Sequence, residues 1–371
     1  MKKSFMLLLL SGLLLFSCTN LKSYLPEGEA RIRRQLNPVW IKNLDPAYDS
    51  GNLPIGLQSP LVHEGVVYAG HNGGYMQAFE LENGSLLWSE KDGSAYHAAA
   101  VAHKDQVIYG TVQGRVNSRH GILGTLKYSV DLGASVETRG VIHKGRIFFQ
   151  LRNHQVFCLD AETGKILWAY KRSVPYLTTL QRASTPVVYK DKVLVGFADG
   201  TFAGLSVDEG VLLFETKLSS GSKFVDIDNA AFIVNDRVYI SSVGSPLSLL
   251  DPNTGKVLRS ADFLASRPPL QREDQLLFGT VNGELVLTDK NLNVLKTVKI
   301  SNGVVTSLAQ YKTFYAVSTT DGMIRLFDMK TLEKTEEFSL GHAYSTVFGE
   351  MVGTADYLAF ISSRNRLYIF R

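Results

Sequence analysis

The sequence predicts an all-β chain, an eight-bladed β-propeller of four-stranded antiparallel blades, closed by an N-terminal strand that joins the last blade. Three observations predict it. A unit of four short apolar runs is separated by turn signals; the unit recurs at steps of 38 to 46 residues; and a tryptophan-bearing segment near the start matches a gap at the end. A repeat of about 40 residues with four strands per unit is the pattern of a propeller, which shields its strand edges by radial repetition.

The first unit runs from Ser59 to Glu90. Ser59–Val62 is a first strand, turned back at His63-Glu64-Gly65, and Val66–Ala69 is a β-branched and aromatic second strand. Asn72-Gly73 is a strong hairpin signal. Tyr75–Phe79 forms a third strand, Glu82-Asn83-Gly84 a third turn, and Leu86–Trp88 a fourth strand. The second-turn signal returns at Gln113-Gly114, Asn153-His154, Asp199-Gly200, Gly244-Ser245, Asn282-Gly283, Asp321-Gly322 and Asn365-Arg366. An apolar second strand precedes each, from Val107-Ile108-Tyr109 to Leu358-Ala359-Phe360. The third turn and fourth strand recur most clearly in Ala161–Gly164 before Ile166-Leu167-Trp168.

The last unit runs through Thr346-Val347-Phe348, Leu358–Ile361 and Arg366–Phe370 and lacks a fourth strand. Pro38–Lys42 carries Trp40 ahead of any first strand. The two features fit: the N-terminal segment supplies the missing outer strand and places Trp40 in the slot of Trp88 and Trp168. The predicted propeller is residues 37–371 of the 371. A hydrophobic content of 45% is ample for its core.

Residues 1–17 combine Lys2 and Lys3 with an apolar run from Phe5 to Phe16, the layout of a secretory signal. Leu15-Phe16-Ser17-Cys18 has the form of a lipobox, so Cys18 is the expected lipidation site, anchoring the chain to outer-membrane lipid by acyl groups rather than by a spanning helix. Residues 18–36 read as the lipidated cysteine and a polar tether. Cleavage removes two lysines and no acids, so the 39 basic and 35 acidic side chains become 37 and 35. No basic stripe exists, and nucleic acid is not an expected partner. Cys158, then the one remaining thiol, stands in the slot of Ala78 and reads as a small packing residue.

Two repeat steps are longer than the rest, and their surplus falls in the connections Lys171–Arg182 and Lys217–Asp228. Connections of this kind emerge on one face of the disc, so two long neighbours make a local docking surface. Asp226 and Asp228 are two apart, which in an extended segment points both carboxylates the same way. A merely acidic polar loop is the plainer alternative.

Ala161–Trp168 resembles the repeat of PQQ-type propellers, and within that group the chain is similar to the BamB family, lipoproteins of the outer-membrane β-barrel assembly machinery. The likeness covers the lipobox, the blade count, the Trp40 strand and the ending at Arg371. It is sharpest at Leu180-Gln181-Arg182-Ala183-Ser184-Thr185-Pro186 and Asp226-Ile227-Asp228. In the family these two segments bind a periplasmic POTRA domain of the assembly protein BamA. The resemblance therefore implies a non-catalytic scaffold at the periplasmic face of the outer membrane, with Leu180, Gln181, Arg182, Asp226 and Asp228 at the partner contact. Unfolded outer-membrane proteins are a conjectural second partner. Where the family has arginine after the leucine this chain has Gln181, with Arg182 one place later.

The alternatives are an envelope adaptor with another partner and an enzyme or ligand-binding propeller of the quinoprotein type, which the repeat also resembles. The quinoprotein dehydrogenases hold PQQ and Ca²⁺ beneath a vicinal cysteine pair; this chain has no Cys-Cys, and its three tryptophans occupy outer-strand slots. No cofactor is expected. His63, His103 and His143 recur at the repeat period on separate blades, too far apart for one ion, so no metal site is expected. No hydrolase, metalloprotease or phosphate-loop motif is present.

Overall fold

The structure, a computed structural model, describes residues 34–45, 55–173, 183–221, 223–242, 244–341 and 345–371. The expected signal sequence, Cys18 and most of the tether lie outside these residues, as do Leu180, Gln181 and Arg182.

Among the described residues, thirty-two strands form eight antiparallel sheets of four, each in simple meander order except the last. Blade 1 comprises Leu61–His63, Val66–Gly70, Tyr75–Glu80 and Leu86–Lys91. Blades 2 to 7 begin at Val101, Val141, Val187, Phe232, Leu270 and Val305. Blade 8 is made from both ends of the chain: Pro38–Asn43 pairs antiparallel with Arg366–Phe370, which continues to Leu358–Ile361 and Val352-Gly353. Trp40 lies opposite Ile369, so the ring closes as the sequence predicts. The second and third strands are almost wholly buried, while most fourth strands alternate between a half-buried and an exposed face, that of blade 5 being exposed throughout.

The blades are joined by a repeated seam. Trp40, Trp88 and Trp168 each donate their indole N–H to a carbonyl in the next blade's third turn: Leu81 at 2.9 Å, Gly121 at 2.6 Å and Val207 at 2.9 Å. Their rings lie over Gly84, Gly124 and Gly210, where a β-carbon would come within 2.8, 2.8 and 2.5 Å of the indole. All three glycines have positive φ, so backbone conformation and space both demand glycine. Tyr128 covers Gly164 and Phe214 covers Gly255 in the same manner. The next two seams differ: Arg259 bonds Asn293 and Lys296 bonds the Thr331 carbonyl, beside Leu292 and Leu332, which take the left-handed backbone themselves.

Four details depart from the sequence reading. The turn signalled by Asn72-Gly73 is longer than a two-residue hairpin: a type I turn from His71 is followed by Gly74 at positive φ. The innermost strands are only two or three residues long except in blade 7, since they converge on the axis; Leu61 rather than Ser59 begins blade 1. In blade 8 the first strand is Val352-Gly353, and Thr346 instead hydrogen-bonds Ser363 and the Thr319 carbonyl. Leu36, placed in the tether by its polar surroundings, is buried with Tyr311 and Phe338, and its N–H meets Glu336 at 3.1 Å. It belongs to the propeller.

Cys158 is fully buried, with Phe148 and Trp168 in its cluster, and burial pushes its thiol up to about 12. It is an inert packing group.

The seam sets an expectation for stability. Trp40→Ala is expected to cost about 3 kcal/mol, the low end for a core aromatic, because Trp40 is only partly buried. Trp40→Phe should cost less, forfeiting mainly the Leu81 hydrogen bond. Denaturant midpoints of the two variants and the parent check this ordering; equal midpoints would remove Trp40 from the closure.

Candidate docking face

The connections from each fourth strand to the next blade's first strand all emerge on one face, around the mouth of the central channel. Both long connections begin and end at shared anchors. Arg172, just past the fourth strand of blade 3, reaches into blade 4: its Nε donates to Asp199 Oδ2 at 3.0 Å, its Nη1 to Glu215 at 2.7 Å and its Nη2 to Thr201 at 3.1 Å. The guanidinium also lies 5.3 Å from the Phe197 ring centroid. Lys217, at the start of the second connection, donates to the Asp199 carbonyl. Where the chain re-enters, Ser184 donates its hydroxyl to the Asn229 carbonyl at 2.8 Å, inside the core. Asp199 therefore ties the outgoing stems together, and Ser184 with Asn229 ties the returning ones.

Within the second connection the backbone is tightly seated. Ile227 fills the space a side chain at Gly196 would need, since a β-carbon there would lie 2.2 Å from it. Its N–H donates to the Phe197 carbonyl at 3.2 Å. Phe224 takes a left-handed backbone, φ +51°, and is 45% exposed. A large aromatic held open by a fixed loop is the kind of anchor that protein contacts use.

The two carboxylates do not share an environment, as the extended reading expected them to. Asp226 is fully buried, whereas Asp228 is half-buried and lines the channel mouth. The packing of Val225 and Ile227 into blade 4 draws Asp226 beneath the surface. Alternation along the chain indicated side but not depth.

The mouth is a 540 Å³ cavity to which all eight blades contribute. Its wall mixes apolar groups such as Phe232, Pro269 and Phe348 with His97, Glu137, Arg139, Asp228, Arg267 and Glu350. Arg139 and Glu350 pair at 3.2 Å between blades 3 and 8, crossing the channel. Arg267 donates to the carbonyls of Thr306 at 2.9 Å and Phe348 at 3.3 Å, tying blade 6 to blades 7 and 8. Burial works against ionisation of Glu137, but His97 and Ser135 outweigh it and hold its pKa below the usual value. Among the described residues no three His, Cys, Asp or Glu side chains are grouped so as to hold a metal ion. Phe224, Arg139, Arg267 and Glu350 were missed by sequence reasoning. For Phe224 the available signal was an aromatic in an otherwise polar connection; the other three become neighbours only when the ring closes.

Comparison with known proteins gives this face its context. A family profile described as "Outer membrane protein assembly factor BamB" matches residues 122–291. Curated BamB proteins match as well: that of Shewanella oneidensis at 19% identity over 74% of each chain, and that of Yersinia pestis at 23% identity over 52% of this chain. In the Yersinia case the match spans about half the relative's length, 53%. The solved structure of BamB from Moraxella catarrhalis superposes with a TM-score of 0.77, covering 90% of this chain and 99% of that one at 16% identity. The chain is thus similar to BamB proteins in sequence and shares the propeller fold of a solved one. The fold is also shared by a quinohemoprotein alcohol dehydrogenase from Pseudomonas putida, at TM-score 0.72 and 13% identity over 91% of this chain.

The Asp199 anchor on this face gives a pH signature. Burial raises the pKa of Asp199, but its bonds to Arg172 and Thr201 prevail and hold it below 3.8. A depressed carboxylate contributes stability that is present above the unfolded pKa and lost as pH falls through the lower folded value. Asp199→Asn should therefore cost about 1–3 kcal/mol at neutral pH. The gap between variant and parent should begin to narrow as pH falls below about 4 and close only once pH has passed below the lowered folded value. Urea midpoints measured against pH test this, and a gap constant with pH would contradict it.

Proposed function

We propose that the protein is a non-catalytic scaffold lipoprotein of outer-membrane β-barrel assembly. In this reading it is acylated at Cys18, held at the periplasmic face of the outer membrane, and docks a POTRA domain of a BamA-like assembly protein on the face described above. The observation that carries the reading is the coupling of the two long connections, which share the Asp199 anchor and the Ser184–Asn229 bond and fix Phe224 in an exposed position. These connections contain the segments, Leu180–Pro186 and Asp226–Asp228, in which the resemblance to the family is sharpest.

The contact divides by depth. Phe224 and the segment containing Leu180, Gln181 and Arg182 supply direct contacts, Asp228 supplies charge at the channel rim, and Asp226 acts from beneath by shaping the loop. A rigid ring that presents preformed loops loses little conformational entropy on docking, which favours a scaffold role. Mechanistically the protein orients its partner's periplasmic domain while the partner inserts barrels. The mixed, cross-paired lining of the channel mouth accords with binding rather than with quinone chemistry: Glu137 and Glu350 already face basic groups.

The test is recovery of the assembly partner from membranes by tagged parent and variants. Phe224→Asp and Asp228→Asn are expected to reduce recovery about tenfold or more, the loss of one buried anchor or charge contact, without lowering the melting temperature. Full recovery with both would move the docking site elsewhere. Failure of the parent to recover any barrel-assembly protein would leave the envelope-adaptor reading in its place.

A further inference from the structure

On the opposite face, where first hairpins and third turns meet, the seam between blades 3 and 4 contains a second cavity of 530 Å³. His143, Lys144, Arg146 and Lys190 line it, with Asp191, Val207 and Asp208. The neighbouring seam supplies an internal standard. Between blades 2 and 3 the equivalent pair, His103 and Lys104, faces the third-turn carboxylate Glu162: His103 Nε2 lies 3.9 Å from it and Lys104 bonds it directly. The repeat thus places a His-Lys pair against an anion.

Between blades 3 and 4 that anion has been diverted. Asp208 occupies the position of Glu162, but Arg146 stands where blade 2 has Gln106. Arg146 takes Asp208 at 2.9 Å and braces on the Val207 carbonyl at 2.7 Å. The other acid in the wall, Asp191, is paired with Lys192 at 2.7 Å, and Lys190 is paired with Asp236 at 3.3 Å while resting 4.7 Å above the Tyr189 ring. Each carboxylate around the cavity therefore has its cation. The surplus charge falls on Lys144, which forms no ion pair with another described residue, and beside it His143 Nε2 lacks a hydrogen-bond partner among the described residues.

We propose that this cavity binds a phosphate group, which takes the place that Glu162 fills in the neighbouring seam. Lys144 is its principal ligand, with the free N–H groups of Arg146 and the Lys190 ammonium at the rim. A phosphate carries more charge and more acceptor oxygens than a carboxylate, so it can engage more of these donors at once. The group comes either free in solution or on a phospholipid headgroup, and the chemistry of the site is the same for both. The site is independent of the docking face.

The test uses the purified full chain and two probes, inorganic phosphate followed by titration calorimetry and vesicles of phosphatidylglycerol followed by co-sedimentation. The parent is expected to bind inorganic phosphate saturably. Lys144→Ala should weaken binding roughly tenfold, the worth of one charge-assisted contact. Arg146→Gln recreates the blade 2 arrangement and releases Asp208 to Lys144; it should weaken phosphate to the same degree although neither His143 nor Lys144 has been removed. Lys104→Ala, at the already filled seam, should leave binding unchanged. Loss of vesicle binding in Lys144→Ala, with inorganic phosphate competing in the parent, assigns the headgroup as source. A response to inorganic phosphate without Lys144-dependent vesicle binding assigns the free ion. No saturable phosphate binding by the parent, or equal binding by parent and a stably folded Lys144→Ala, overturns the proposal.

Discussion

Five of the seams depend on one repeated contact: an outer-strand aromatic packed over a glycine held in the left-handed backbone conformation. A blade alone buries its second and third strands poorly, since both faces need cover. The seam provides that cover and also fixes the relative height of adjacent blades, because the indole N–H reaches one carbonyl and no other. Five seams use an aromatic ring on a glycine, and the next two use a charged side chain beside a left-handed leucine. The ring is thus stiff through blades 8 and 1 to 5 by shape, and held through blades 5 to 7 by polar contacts that water can compete for.

That stiffness positions the surface loops. Asp199 lies in a second turn of blade 4, yet it receives Arg172 through its carboxylate and Lys217 through its carbonyl. Two connections that leave different blades are thereby referred to a single residue. The same economy appears on the opposite face, where one substitution in the repeat, arginine for glutamine at position 146, redirects Asp208 and changes the charge of a whole seam. In a repeated structure the neighbouring copy is a standard against which such a change can be read.

Much of this was legible in the sequence because it is local. Turn residues, β-branched runs and the Trp40 segment defined the blades and the closure, each through chemistry confined to a few residues. What escaped was set by neighbours far along the chain. The expectation for Asp226 and Asp228 went astray on depth, since Gly196, some thirty residues earlier, admits Ile227 and draws the segment inward. Leu36 looked like tether because it follows the charged run Arg31–Arg34 and precedes the first strand, and its partners, Tyr311 and Phe338, come from blade 7. The length of the first such turn was also hidden, because Asn-Gly favours a two-residue hairpin while the blade uses a longer turn ending in Gly74.

Blade 8 has a consequence for how the chain comes to be made. Its outer strand leaves the ribosome among the first parts of the propeller, and the strand it pairs with is among the last. Until Arg366–Phe370 has been synthesised, Pro38–Asn43 has no edge to join, and Trp40 reaches Leu81 without its own blade behind it. Seven blades can assemble locally and early, as contacts short in sequence do. The closing pair forms only once the Arg366–Phe370 strand exists, so a chain interrupted before it stays an open arc with two unprotected edges, open to clearance or aggregation rather than to use.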